Sequence, residues 1–481
     1  MEKQLINGEL VNGRGNPFEV TNPATEEVVG VVTAADTTQT KEALAAAQSA
    51  FKGWSKEPLN KRLELFNSFL QLYKEHQNTI IDLMMKEIGK PLPTAIAEFN
   101  TSVSIYETYA AEVKHVYGDI MPDYNSSFGS AYHYMEKRPI GVTVGHLAWN
   151  CPIMNIALKL GPALVSGCTV IIKPSSKSPL TGLFIATLLE KVGFPKGVVN
   201  ILTGPSDVVG KTLNESTVPR LITLIGSSDT GRKVMVEGSS SIKTYSLELG
   251  GNAPAIILPD SDIKEAAKFC VKRKFTSLGN AGQACGTINR IYVHEEIKDE
   301  FLSACLKETK KIRVGWGKEY SDGLVMGPLI TKEDRDRMFD LIEEAVNKGA
   351  EVVYGGAAPE KHRKGYFFMP TILDNVSDEA NLINGETFGP ILPFLTFSDI
   401  DDVLARANNT DYGLVSYVFG HHTQTVYKCI EELESAQVFV NGAGKQTNHP
   451  HFGWKESGVG YDYGSYGLSA YYQMKKISFK P

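Results

Sequence analysis

From residue 140 onward the chain alternates short β-branched runs with helical stretches, and this alternation limits the possible folds more than any other feature. "GVTVGHLA", "CTVIIKPS", "GVVNILTG" and "RLITLIGSS" read as strands, and "PLTGLFIATLLEKVG" between two of them carries apolar residues at helical spacing. Strands that alternate with helices predict a parallel sheet covered on its faces. A second block of the same kind follows "LELGGNAPAIIL", with a helix through "DIKEAAKFCVKRKF", a strand at "RIYVH" and helices around "DEFLSACLKETKKI" and "KEDRDRMFDLIEEAVNKG". The chain has 481 residues, whereas single cores stop growing at roughly 250–300, so two or three domains are expected.

Ahead of these blocks lie short strand-like pieces punctuated by "NG" and "NP", then the helical patterns "TKEALAAAQSAFKGW" and "KRLELFNSFLQLYKEHQNTIIDLMMKEIG". "FGSAYHYMEKRPI" and "SAYYQMKKISFKP" alternate in strand fashion outside both blocks and are expected to form an added sheet or an oligomer edge. Lys and Arg number 49 against 55 Asp and Glu, without a long basic run, which argues against a nucleic-acid partner. No apolar stretch approaches the ~20 residues of a spanning helix and the start lacks a signal-peptide core, so no membrane association and a cytoplasmic address are expected. Six cysteines without a CxxC pair predict free thiols, and ten histidines without an HExxH pattern predict no metal site.

Several short stretches point to chemistry. In "LGNAGQACGTINR", Cys285 is framed by Gly282, Gln283 and Gly286, small or flexible neighbours that let a ligand approach the backbone. In "VIIKPSSKSPLTG", Lys173 ends a strand, and Ser178-Pro179 predicts an N-cap and first turn of the next helix. Ligands of open α/β sheets bind at strand C-termini, so Lys173, Ser175 and Ser176 either meet nucleotide hydroxyls or a phosphate, or form a solvated turn. In "LIGSSDTGRKV", Gly226 and Ser227 sit between a strand and a helix, either as a plain turn or with free N–H groups for a pyrophosphate.

"LAWNCP", "IIKPSS", "IGSS", "LELGG", "NAGQAC" and "ETFGP", in that order over nearly the whole chain, resemble the aldehyde dehydrogenase superfamily. The resemblance implies an α/β fold of two Rossmann-like parallel domains with a small β extension for oligomerisation. Its dinucleotide-binding part would be 1–121 and 140–248, its catalytic part 249–445, and its oligomerisation strands 122–139 and 462–481. It implies that Cys285 is the nucleophile, forming a hemithioacetal that gives up hydride and becomes a thioester. Asn150 and the Cys285 backbone N–H would hold the oxyanion, and Glu248 would activate the hydrolytic water. Relatives that pass the acyl group to coenzyme A generally lack a carboxylate where Glu248 stands, so a free acid is the expected product. Lys173 would bind the adenosine ribose, Glu386 the nicotinamide ribose, and Phe388 would flank the nicotinamide. Trp149, Ser175, Ser176, Gly226, Ser227 and Leu249 complete the cofactor set, Lys159 reads as structural, and a homodimer or homotetramer is implied.

Four departures shape the expected specificity. Ser176 stands where NAD-using relatives commonly carry a glutamate that would repel a 2'-phosphate, so NADP is expected, alongside or ahead of NAD. Glu248 and Cys285 are 37 residues apart, about three more than the family pattern, with the excess near "FTSLGN". The carboxylate-binding arginines of succinate-semialdehyde dehydrogenases align with Leu158 and the stretch near Gly279, which demotes that substrate to an alternative. Cys151 and Asn155 with "GAGKQTNHPHFGW" suggest a pocket for a small polar or anionic aldehyde, with Lys445 and His451 as further pocket groups. A catalytically silent binding protein of the same fold is the remaining reading, disfavoured because Cys285, Glu248 and Asn150 are all present.

Overall fold

The computed structural model describes residues 3–124, 131–321, 323–442, 444 and 446–480. The first alternating block forms an eight-stranded sheet, ordered Glu9–Val11, Gln4–Ile6, Val199–Ile201, Thr169–Lys173, Val142–His146, Pro219–Ile225, Thr244–Glu248 and Gly458–Val459. Its central strands are parallel, as the alternation predicts, but the strands at both ends pair antiparallel. The last of these is a two-residue strand from near the C-terminus, laid against Leu247 and Glu248. The second block forms a seven-stranded sheet around Ile288–His294 and Ala253–Ile257, again parallel except at the edge strand Glu351–Tyr354.

The predicted N-terminal helical layer is present as Thr37–Trp54, Leu59–Glu75, Gln77–Ile88 and Leu92–Glu112, the single long pattern being broken at His76. Helix Pro152–Ser166 is apolar nearly all round and buried along almost its whole length, packed on Leu92–Glu112, so its first residues are fixed by packing rather than by a solvated loop. The cap expected from Ser178-Pro179 does not form. Helix Leu180–Val192 begins after Pro179, and the carboxylate of Glu87 accepts the N–H groups of Leu180 (2.7 Å) and Thr181 (3.2 Å) in its place. A tertiary carboxylate thus satisfies the helix end that the local serine was expected to serve.

Tyr132–Pro139 and Tyr472–Phe479 pair with each other over eight residues, forming a three-stranded sheet with Asp119–Met121. The expected extension therefore starts inside the segment assigned to the first unit, and its C-terminal part is preceded by a short helix, Gly464–Ser469, rather than being strand throughout. Lys159 and Asp462 tie this C-terminal region to helix Pro152–Ser166 through a buried two-point contact of 2.7 and 2.6 Å. Replacing Lys159 with Met leaves the Asp462 charge buried without its partner. It is expected to lower stability by about 3–5 kcal/mol in chemical denaturation, and the Lys159→Met/Asp462→Leu double variant to recover most of the loss.

Candidate active site

Cys285 is held by a loop whose neighbouring side chains face away from it into protein. Asn280 accepts from Gly327 N–H (2.8 Å) and donates to Pro328 carbonyl (3.1 Å). Gln283 accepts from Ile330 N–H (3.0 Å) and donates to the Asn280 carbonyl (3.1 Å). Asn280, Ala281 and Gly282 have φ of 45°, 50° and 74°, so the turn is left-handed over three residues. At Gly282 a Cβ would stand 2.3 Å from the Gly389 carbonyl oxygen, which leaves no alternative to glycine. The result separates one thiol from the rest: Cys285 is half-buried, whereas Cys151, Cys168, Cys270, Cys305 and Cys429 are all buried.

The segment "LELGG" ends the strand Thr244–Glu248 beside this loop. Gly251 lies so close to it that a Cβ would come within 2.2 Å of the Cys285 carbonyl oxygen. Its N–H donates to the Glu386 carboxylate (3.0 Å), whose burial pushes its pKa up to about 7 despite that bond and the nearby Lys274. Glu248 is 4% exposed, and its Oε2 lies 3.6 Å from Nε2 of His451. His451 Nδ1 in turn faces the Gln437 amide at 2.8 Å. His451, expected from the sequence as a pocket group, therefore stands beside the candidate base.

Two cavities meet at Cys285. The first, about 450 Å³, is lined at one end by Lys173, Ser175 and Ser176, in the middle by Gly226, Ser227 and Leu249, and at the other end by Trp149, Glu386 and Phe388. All the residues expected to hold a dinucleotide are thus brought together, and Asn150 and Cys285 close the far end. Trp149 and Phe388 meet edge to face at 5.8 Å. Lys173 is buried with no carboxylate partner among the described residues, and burial pulls its pKa down to about 8. A sequestered ammonium facing a cleft at strand C-termini, beside the N-terminus of helix Ser228–Glu237, fits a ribose and a diphosphate.

One local expectation changes. The Gly226 N–H is not free for a phosphate, because it donates to the Glu248 carbonyl at 3.0 Å. Lys177 also lines this cavity, its ammonium 3.5 Å from Asp334 and 5.8 Å from the centre of the Trp149 ring.

The second cavity, about 310 Å³, shares Asn150, Ile225 and Cys285 with the first and adds Glu248. Cys151, Asn155 and His451 line it as expected, and Lys445 lies outside the described residues. Leu158 and Gly279 are also in its wall, so the two positions where arginines would stand are pocket positions here. The added stretch before Cys285 contributes Ser277 and Leu278. Asn155 donates to the Ala148 carbonyl (3.1 Å), and burial pushes the Cys151 thiol up to about 12. Asn150, 9% exposed, donates from Nδ2 to the Gln283 carbonyl at 2.9 Å, which ties its amide to the loop that carries Cys285. Sequence reasoning did not find Arg273, Tyr417, Gln437 or Tyr463 in this wall.

The pattern of the aldehyde dehydrogenase family matches residues 10–477. The chain belongs to that family. Succinate-semialdehyde dehydrogenase [NADP(+)] of Escherichia coli (strain K12) is 37% identical over 476 residues, spanning 98% of this chain and 97% of the relative. Glutarate-semialdehyde dehydrogenase of Pseudomonas putida is 36% identical over 479 residues, with 99% and 97% covered. The crystal structure of lactaldehyde dehydrogenase from Escherichia coli superposes with a TM-score of 0.95 at 31% identity, covering 100% of this chain and 99% of that one. This aldehyde dehydrogenase is accordingly an oxidoreductase acting on an aldehyde. Among its described residues no helix is long and apolar enough to cross a membrane.

The Gly251 contact gives a direct test. Gly251→Ala forces the Cys285 backbone aside, and displacements of the order of 1 Å typically cost about 100-fold in rate. Steady-state kinetics are expected to show at least that loss in kcat/KM, with an unchanged far-ultraviolet circular dichroism spectrum.

Proposed function

We propose that this aldehyde dehydrogenase oxidises a small polar or anionic aldehyde to the carboxylic acid, with NADP used alongside or ahead of NAD. The observation that carries the reading is the half-buried thiol of Cys285 at the junction of the two cavities, one lined by the expected dinucleotide residues and the other containing Glu248. In this reading Cys285 Sγ, as thiolate, adds to the carbonyl carbon. One Nδ2 hydrogen of Asn150 is committed to Gln283, which sets the amide so that its second hydrogen meets the developing oxyanion. A bound nicotinamide dinucleotide supplies the two-electron acceptor that turns the hemithioacetal into a thioester. Glu248 then takes a proton from water as the oxygen attacks the thioester carbon, the carbon–sulfur bond breaks, and the acid leaves with Cys285 as thiolate.

Lys173 and Ser175 would hold the adenosine ribose, and Ser176 a 2'-phosphate. Ser176 Oγ donates to the Gly204 carbonyl at 3.1 Å, a bond it would exchange for one to the 2'-phosphate, and it adds no negative charge to the cleft. The Escherichia coli relative named for NADP(+) supports the same choice. Glu386 would hold the nicotinamide ribose between Gly251 and the cleft, with Trp149, Leu249 and Phe388 around the ring. A homodimer or homotetramer is supported by the three-stranded sheet, where Ile120 (90% exposed), Tyr132 and Phe479 present apolar surface around an open edge.

Two outcomes follow. Glu248→Gln should slow turnover by about 100-fold or more while acylation persists, so intact-protein mass spectrometry after mixing with aldehyde and NADP should find Cys285 acylated in the variant but not in the parent. Ser176→Glu should move the ratio of kcat/KM for NADP over NAD toward NAD by about 10-fold or more, read from initial rates with both dinucleotides.

A further inference from the structure

The aldehyde cavity contains a cation that the proposed chemistry does not use. Arg273 lies in the last turn of helix Ile263–Phe275, where basic residues complement the helix dipole. Its Nε and one Nη2 hydrogen converge on the Gly286 carbonyl at 3.0 and 2.8 Å, and Nε also lies 2.9 Å from the Tyr417 hydroxyl. That hydroxyl donates to the same carbonyl at 2.7 Å. Gly286 follows Cys285, so the guanidinium is anchored one residue from the nucleophile.

This anchoring uses one side of the guanidinium. The two Nη1 hydrogens and the second Nη2 hydrogen have no partner among the described residues, and one Nη1 hydrogen with that Nη2 hydrogen forms the end-on fork that takes a carboxylate in two-point fashion. The other charged groups of the wall are engaged elsewhere: Asp462 is held by Lys159, and Glu248 lies against His451. No carboxylate lies within ion-pair distance of Arg273 among the described residues. The aromatic rings of Phe269 and Phe439 stand in the same wall and suit a short methylene chain.

We infer that Arg273 is a specificity-determining residue that pairs with the remote carboxylate of a short ω-oxo acid while its aldehyde meets Cys285. The inference rests on the proposed reading of Cys285 as the nucleophile. Leu158 and Gly279 leave the pocket without cations at the positions where the resemblance places arginines, and Arg273 supplies the charge from another helix.

The test pairs an anionic with a neutral substrate of equal length, 4-oxobutanoate and butanal, with parent, Arg273→Gln and Arg273→Lys proteins. Arg273→Gln should lower kcat/KM for 4-oxobutanoate by about 100-fold, mainly through KM, while butanal changes less than about 3-fold, and Arg273→Lys should recover part of the loss. An equal fall for both substrates would mean that Arg273 only braces the nucleophile loop, which overturns the inference. A second measurement needs no turnover: protection of Cys285 against alkylation by iodoacetamide, followed by mass spectrometry. 4-Hydroxybutanoate should protect the parent and not Arg273→Gln, and 1,4-butanediol should protect neither. Equal protection of both proteins, or none of the parent, overturns the inference. Protection as expected in a parent that oxidises neither aldehyde would sink the proposed function and leave the carboxylate site standing.

Discussion

The chemistry depends on one close approach of backbone to backbone. Gly251, just after the final residues of a strand in the first sheet, lies against the carbonyl of Cys285, which belongs to a loop of the second. No side chain of any size fits between them, so the separation of Cys285 and the strand end is set by main-chain atoms, the least deformable part of a protein. Glu248, three residues earlier, and Glu386, bonded to the Gly251 N–H, inherit their positions from the same contact. The hydrogen bonds that Asn280 and Gln283 make away from the site fix the loop from its other side. Preorganisation here comes from glycine and amide groups, and the reactive side chains are passengers on it.

Much of this was legible in the sequence because it is local. A strand that ends in Lys173, a turn with Gly226 and Ser227 and a cysteine among small residues each announce a strand terminus or an approachable backbone, and the structure gathers them at the sheets' C-terminal edges. What escaped depends on partners remote in the chain. Ser178 looked like a cap, but Glu87, some ninety residues earlier, occupies that helix end. The Gly226 N–H looked available, but the neighbouring strand takes it. Arg273 was hidden for a different reason: a basic residue in the last turn of a helix already has a sufficient local explanation, and nothing in its neighbours signals the carbonyl of Gly286.

Burial also divides the polar groups by use. Lys159 and Asp462 neutralise one another in the interior, as do Lys90 and Glu98 beneath the turn that carries Asn150 and Cys151. In that second pair, Glu98 also receives the N–H groups of Ile153 and Met154 at the start of helix Pro152–Ser166, while Lys90 donates to the Asn150 carbonyl at 2.8 Å. The backbone around Asn150 is thus gripped from both sides by charges outside both cavities. Lys173 contrasts with both pairs, being buried yet without a carboxylate partner among the described residues, and it stands in a cleft.

The two chambers touch through a single partition made of Asn150, Ile225 and Cys285. Leu158, Ser277 and Gln446 line the aldehyde chamber and not the dinucleotide chamber, so such residues can be exchanged in the course of descent without disturbing how the dinucleotide is gripped. A lineage built on this plan can acquire new diets one wall residue at a time, keeping the same sulfur and the same electron carrier throughout.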